Sequence, residues 1–186
     1  MTIAIEITPI PGVLIVQTRR FNDARGFFTQ TYSKRDLAEF GVGVDFVQDN
    51  LSFNRERGTL RGLHYQREPA AQAKLVSVVK GSVLDVVVDL RRGSPCFGQH
   101  LSIELNATNG TELFIPVGFA HGFITREAET LFTYKVSHAY SPQDECGIRF
   151  DDASLAIDWA AHPDAIITSA KDRSWPPFDP SAEYFQ

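Results

Sequence analysis

The sequence predicts an all-β fold, an antiparallel sandwich or barrel of the jelly-roll type with a few short helices. Two observations predict it: short runs rich in Val, Ile, Phe and Thr recur along the chain, and clusters of turn-forming residues separate them. A third removes the alternatives, since there is no long internal repeat, low-complexity tract or heptad series that would mark a solenoid, propeller or coiled coil. In order, strands are expected at Ile3 to Ile7, Val13 to Thr18 after the Pro11-Gly12 turn, and Gly26 to Tyr32. One helix follows between Ser33 and Gly41: Ser33 caps it, Asp36 stands three residues on, Leu37 and Phe40 form its apolar stripe, and Gly41 ends it. Further strands are expected around His64 and at Lys74 to Val79, Val83 to Leu90, His100 to Leu105, Thr111 to Ile115 and Leu131 to Val136. Lys80-Gly81-Ser82, Gly93-Ser94-Pro95, Asn109-Gly110 and Ser141-Pro142 supply the positive or proline-fixed φ that tight turns need. A second helix is expected after Asp151-Asp152.

At 186 residues and 43% hydrophobic content the chain fits one domain spanning 1–186. Eighteen basic and 23 acidic residues give a net charge of -5, which argues against a surface that coats nucleic acid but leaves room for a basic pocket. Met1 to Ile10 alternates apolar and polar residues instead of showing a basic start and an apolar run, and no stretch is long enough to span a membrane, so a cytoplasmic location is expected. Cys96 and Cys146 form no C-x-x-C unit and are expected to be free thiols.

Two segments carry the chemistry. Residues 58–66 read Gly-Thr-Leu-Arg-Gly-Leu-His-Tyr-Gln, and residues 115–123 read Ile-Pro-Val-Gly-Phe-Ala-His-Gly-Phe. Together they resemble the paired motifs of the cupin jelly roll. In metal-binding cupins these motifs supply the metal ligands; here the corresponding positions are His64, Gln66, Lys74 and His121. An ammonium cannot ligate a divalent metal and repels one, so no metal and no other cofactor is expected.

Other segments extend the resemblance: Asp23 to Phe28, Gln48 to Ser52, Asp85 to Arg91 with Ser94-Pro95, Tyr134, Asp151-Asp152 and Ser169 to Asp172. In this order, from about Asn22 to Pro176, they are similar to the dTDP-4-dehydrorhamnose 3,5-epimerase family. The resemblance implies epimerisation at C3 and C5 of a dTDP-linked 4-keto-6-deoxy sugar. A ketone at C4 acidifies both neighbouring C–H bonds, so the reaction needs a base on one face, charge stabilisation at the C4 oxygen and an acid on the other face. The resemblance assigns His64 as the base, a role that suits imidazole near neutral pH, and pairs it with Asp172. Tyr134 matches the family's proton donor, and an inward-pointing Lys74 would hold the enolate oxygen. Arg25, Arg61 and His121 match positions that hold the nucleotide-sugar, as do Gln48, Asn50, Glu145 and Lys171. Gln30 departs from the family pattern, which has a glutamate there; the amide keeps an acceptor oxygen and loses the charge on the nucleotide side. The resemblance further implies a homodimer in which Arg25 reaches the neighbour's site.

Two rival functions share these motifs: a C3- or C5-mono-epimerase, and a non-catalytic sugar-binding cupin. Outside the motifs, His100, His138 and His162 are read as surface residues and Trp175 as packing of the tail.

Overall fold

The computed structural model describes residues 2–186. Ten strands form two facing sheets and a third pair stands apart as a hairpin, β3 (Arg20–Asp23) with β4 (Gly26–Thr29); the remaining strand, the short β13 (Glu145–Gly147), edges the second sheet. The six-stranded sheet runs β1 (Ile3–Ile7), β2 (Leu14–Thr18), β10 (Thr111–Ile115), β7 (Lys74–Lys80), β12 (Thr130–Val136), β5 (Gln48–Asn54). The second runs β13, β6 (Leu60–Gln66), β11 (Phe119–Thr125), β8 (Ser82–Asp89), β9 (His100–Asn106). Every pairing between these strands is antiparallel, as a sandwich of the predicted type requires.

The predicted strands all form, with ends shifted by a few residues; the Gly26 to Tyr32 run stops at Thr29. Helix α1 (Lys34–Ala38) lies inside the predicted Ser33–Gly41 span, and the Ser33 hydroxyl accepts the Asp36 backbone N–H at 3.2 Å. The helix expected after Asp151-Asp152 does not form. Instead the Asp152 carboxylate accepts the backbone N–H groups of Ser154, Leu155 and Phe178. Ala156 then turns to φ 48° and Ala160 to φ 46°, left-handed values that end any helix. The C-terminal helix comes later, as α2 (Ala170–Ser174).

Between the sheets lies a core that includes Val76, Val78, Val83, Val87, Leu113, Phe123 and Phe132. The outer face of the five-stranded sheet is covered by the tail, with Leu155, Trp159 and Phe185 packed on Leu60, Val86 and Val88. Strand β8 is therefore apolar on both faces, which explains its nearly unbroken valine run. Helix α1 covers part of the other outer face through Leu37, against Val16, Leu75 and Phe114.

Glu112 on β10 also faces outward, is 5% exposed, and receives no hydrogen bond from the described residues. Burial pushes its carboxyl up to about 8, with the Lys135 charge opposing. The folded protein thus keeps Glu112 protonated where the unfolded chain ionises it, so stability on its account is full below pH 4.5 and is lost as pH rises toward 8. Glu112→Gln should remove that loss: thermal unfolding should find the variant's advantage widening by on the order of 4 kcal/mol from pH 4.5 to 8, then levelling. A difference from the parent that is independent of pH would show that Glu112 is ionised in the fold.

Candidate active site

A cavity of about 510 Å³ is walled by β6, β11 and β13 of one sheet, β7 and β12 of the other, and α2. Eight of the residues expected from the sequence line it: Arg61, His64, Lys74, His121, Tyr134, Glu145, Lys171 and Asp172.

His64 sits in β6 opposite His121 of β11. The two strands approach closely here because Gly62 takes φ 138° and has no side chain; a Cβ would lie 2.5 Å from the Gly122 Cα. His64 Nε2 lies 2.6 Å from Asp172 Oδ1. A carboxylate only accepts, so neutral His64 carries its proton on Nε2 and presents the Nδ1 lone pair as its basic atom. Asp172 is placed by local helix chemistry: Ser169 caps α2 by accepting the Asp172 backbone N–H at 3.0 Å, which turns the Asp172 side chain under β6. Burial alone would push the Asp172 carboxyl up. The hydrogen bond and charge of His64, with bonds from Ser169 and the Gly62 N–H, outweigh this and hold it below the usual carboxylate range.

On the facing sheet Lys74 opens β7, points inward and is buried. Its Nζ has one protein acceptor among the described residues, the His64 carbonyl oxygen at 3.5 Å, which leaves donors free toward the cavity. Burial pushes its ammonium down to about 8, opposed by the charges of Asp85 and Glu145. Tyr134, on β12, is half-buried, and no described residue hydrogen-bonds its hydroxyl. Burial raises the phenol above its ordinary value, with Arg61 opposing, so it stays a proton donor across the neutral range. His64 and Tyr134 therefore belong to opposite sheets and approach the cavity from opposite walls.

His121 Nε2 lies 2.8 Å from Asp85 Oδ2, both buried. Burial pushes the imidazole down despite Asp85, and Lys74 and His64 add to the effect. Asp85 was not singled out as a site residue from the sequence. The available signal was a carboxylate in the middle of the valine-rich β8, which demands a buried partner. Arg61 is held by Asn54 Oδ1, which accepts its Nε–H at 2.8 Å. Glu145 receives Lys171 Nζ at 2.6 Å and the Tyr140 hydroxyl; burial raises its carboxyl, but those two bonds prevail and lower it. Tyr140, which lines the cavity, was likewise not singled out from the sequence.

Four expected residues stand outside this wall. Gln48 and Asn50 lie on edge strand β5, where Gln48 donates to Asn50 Oδ1 at 2.8 Å and accepts the Tyr140 N–H at 3.1 Å. Arg25, at the tip of the β3–β4 hairpin, is exposed and paired with Asp23 at 2.5 Å. Gln30 accepts the Thr2 hydroxyl at 3.0 Å and donates to the Tyr32 carbonyl at 3.4 Å. Gln66, read as a cupin ligand position, instead staples loops: its amide donates to the Ala70 and Ala139 carbonyls and accepts the Ser141 N–H. Among the described residues no group of three His, Cys, Asp or Glu side chains is placed to hold a metal ion. What the cavity offers is a base with an oriented proton, a fixed cation and a free phenol, the parts of proton transfer beside a carbonyl. Both cysteines are free, and no helix among the described residues is long and apolar enough to cross a membrane.

The comparisons with known proteins agree with this geometry. A family model described as dTDP-4-dehydrorhamnose 3,5-epimerase matches residues 7–180. The chain is 47% identical over 165 residues to the dTDP-4-dehydrorhamnose 3,5-epimerase of Pseudomonas aeruginosa, covering 88% of this chain and 90% of that one. The crystal structure of the enzyme of that name from Bacillus anthracis, with TDP and PPi bound, superposes with a TM-score of 0.92 at 43% identity, covering 95% of this chain and 99% of that one. The dTDP-6-deoxy-D-glucose-3,5-epimerase of Legionella pneumophila, in complex with dTDP-4-keto-L-rhamnose, gives 0.90 at 40% identity, covering 94% and 92%. With a matching family model over most of its length, a relative 47% identical and the same fold, this chain belongs to the dTDP-4-dehydrorhamnose 3,5-epimerase family.

Proposed function

We propose that the protein epimerises dTDP-4-dehydro-6-deoxy-D-glucose at C3 and C5, a step toward dTDP-L-rhamnose, and that it works in the cytoplasm as a homodimer without metal. The observation that carries the reading is the opposition of the His64–Asp172 pair and the unengaged Tyr134 hydroxyl across one cavity, with the buried Lys74 ammonium beside them. His64 Nδ1 takes the C–H proton, and the electron pair of that bond moves into the ring as an enolate whose charge rests on the C4 oxygen. Lys74 donates to that oxygen in a water-poor site, where a fixed cation is most effective. Asp172 stabilises the imidazolium that forms on His64. Tyr134 returns a proton to the opposite face of the same carbon, the enolate collapses to the ketone, and solvent restores both side chains. The same sequence at the second carbon completes the double epimer. Arg61, His121, Lys171 and Glu145 hold the nucleotide-sugar, with Gln48 and Asn50 at the rim; charge-assisted bonds from arginine suit a diphosphate.

Support for the homodimer comes from surfaces that one chain leaves bare. Phe27 and Phe28 of the β3–β4 hairpin are 54% and 68% exposed, and Leu51, Phe53 and Val79 project from the outer face of the six-stranded sheet, whose edge strand β5 pairs on one side only among the described residues. A second copy seated there would bring Arg25, and Gln30 on the nucleotide side, to its neighbour's cavity.

Proton NMR of the nucleotide-sugar in deuterated water tests the reaction. Deuterium should enter at C3 and at C5, with or without a chelator. Wash-in at one carbon would make the protein a mono-epimerase, and none would leave a sugar-binding cupin.

The rate should also report Lys74. The ammonium is charged below about 8 and neutral above it, so kcat/KM of the free enzyme should fall on the alkaline side with an apparent pKa near 8. Lys74→Arg keeps its charge at all these values, so that limb should move out of range. An alkaline limb unchanged in Lys74→Arg would belong to another group.

A further inference from the structure

We infer that Trp175, seated on Gly147, is a positioning residue that holds helix α2 so that Asp172 meets His64; the inference rests on the proton-transfer role proposed for that pair. Helix α2 has five residues, too few to hold a place by its own hydrogen bonds, so its position depends on what it packs against. Trp175 ends the helix as its C-cap. Its indole lies over the bare Cα of Gly147, where a methyl group would come within 2.5 Å of Trp175 Cδ2 and Nε1. Gly147 is the β13 residue directly opposite His64 in β6. The indole thus stands behind the catalytic histidine, its centroid 6.3 Å from that of the imidazole and the rings inclined at 69°.

The remaining contacts say how the indole is held. Its buried Nε1–H has no hydrogen-bond partner among the described residues, so shape fixes the ring. Lys171 Nζ lies 5.5 Å from the ring centroid while bonding Glu145, and the Arg149 N–H donates to the Pro176 carbonyl at 2.9 Å, tying down the chain just beyond the helix. The middle of α2 carries Asp172, which must stay 2.6 Å from His64; its C-terminal cap carries a wedge that only a glycine at 147 admits. Trp175 does not line the cavity, so its effect on substrate passes through α2.

The test combines kinetics with the proton shared by the pair. A histidine N–H bonded to a carboxylate gives a low-field proton resonance, and its disappearance in Asp172→Asn identifies the one on His64. Trp175→Ala should weaken or broaden this signal and lower kcat on the order of 10–100-fold with KM within about twofold, the pattern of a displaced reacting group. Gly147→Ala should do the same from the other side by pushing the indole off its seat. Trp175→Phe, which keeps a flat ring, should restore most of both readouts. The inference is overturned if Trp175→Ala and Gly147→Ala, folded by circular dichroism, keep the low-field proton, whatever their kcat. Should Trp175→Ala fail to fold, Gly147→Ala and Trp175→Phe decide it in the same way. The NMR arm uses no substrate, so an error in the epimerase reading would leave an inactive protein whose signal still responds to Trp175.

Discussion

His64→Ala should abolish deuterium wash-in at both C3 and C5 while leaving the nucleotide-sugar bound. With the base gone, the cavity keeps one other imidazole, and burial pushes that one down from its ordinary value, which makes it the weaker base. The other imidazole, His121, is bonded through Nε2 to buried Asp85 and holds its place in the opposite strand. The loss should be about 1,000-fold or more, the upper range for a positioned general base. Asp172→Asn should follow by a different route. An amide can donate as well as accept, so it can hold the wrong tautomer of His64, and it cannot offset the imidazolium charge. Turnover should drop about 100-fold or more with KM little changed. Isothermal titration with the nucleotide and NMR exchange on the same samples separate binding from chemistry. Exchange near the parent rate in His64→Ala would show that another residue removes the proton.

Tyr134→Phe should separate exchange from inversion. His64 can remove a proton and deliver deuterium to the same face without any acid opposite, so label should still enter at least one carbon while little epimer forms. The change deletes one oxygen and keeps the ring that packs 6.1 Å from Phe132, so the wall should persist. Because no described residue shares the Tyr134 hydroxyl, its removal strands no buried partner among them, and the effect should be on the rate of inversion alone. That rate should fall about 100-fold or more, water supplying the slow remainder. Inversion at the parent rate would remove Tyr134 from the mechanism and send the search for a donor to Tyr140, whose hydroxyl is engaged with Glu145.

The legible parts of the chain were those whose signals are local. Alternation and turn chemistry reveal β1, β2, β7, β8, β9, β10 and β12, and the Ser33 cap reveals α1, because each depends on neighbours a few residues away. Strand β5 escaped because its pattern is inverted: Gln48, Asn50 and Ser52 turn toward the interior while Leu51 and Phe53, 65% and 52% exposed, turn out. Such a strand makes sense only beside a polar cavity and a bare outer face. The Asp151-Asp152 pair misled for a related reason. A carboxylate that can cap a helix can equally hold a turn, and Asp152 holds one by also accepting the Phe178 N–H, 26 residues away.

The residue chemistry of the site, His64 and His121 in their glycine-flanked strands, Lys74 where a ligand would stand, and the Ser169-to-Asp172 cap, is present in the linear order of residues, since side-chain type and short spacing suffice to express it. The resemblance already paired Asp172 with His64, 108 residues apart, but folding alone decided that Asp85 crosses 36 residues to His121 and that Gln66, at the cavity, staples loops. It also decided the strength of the charged groups. Lys74 titrates near 8 because two sheets close over it, and α2 is aimed because Gly147 leaves a slot that Trp175 fills. Burial and close packing depend on atoms far apart in the chain brought into contact, and no local pattern of residues encodes those distances.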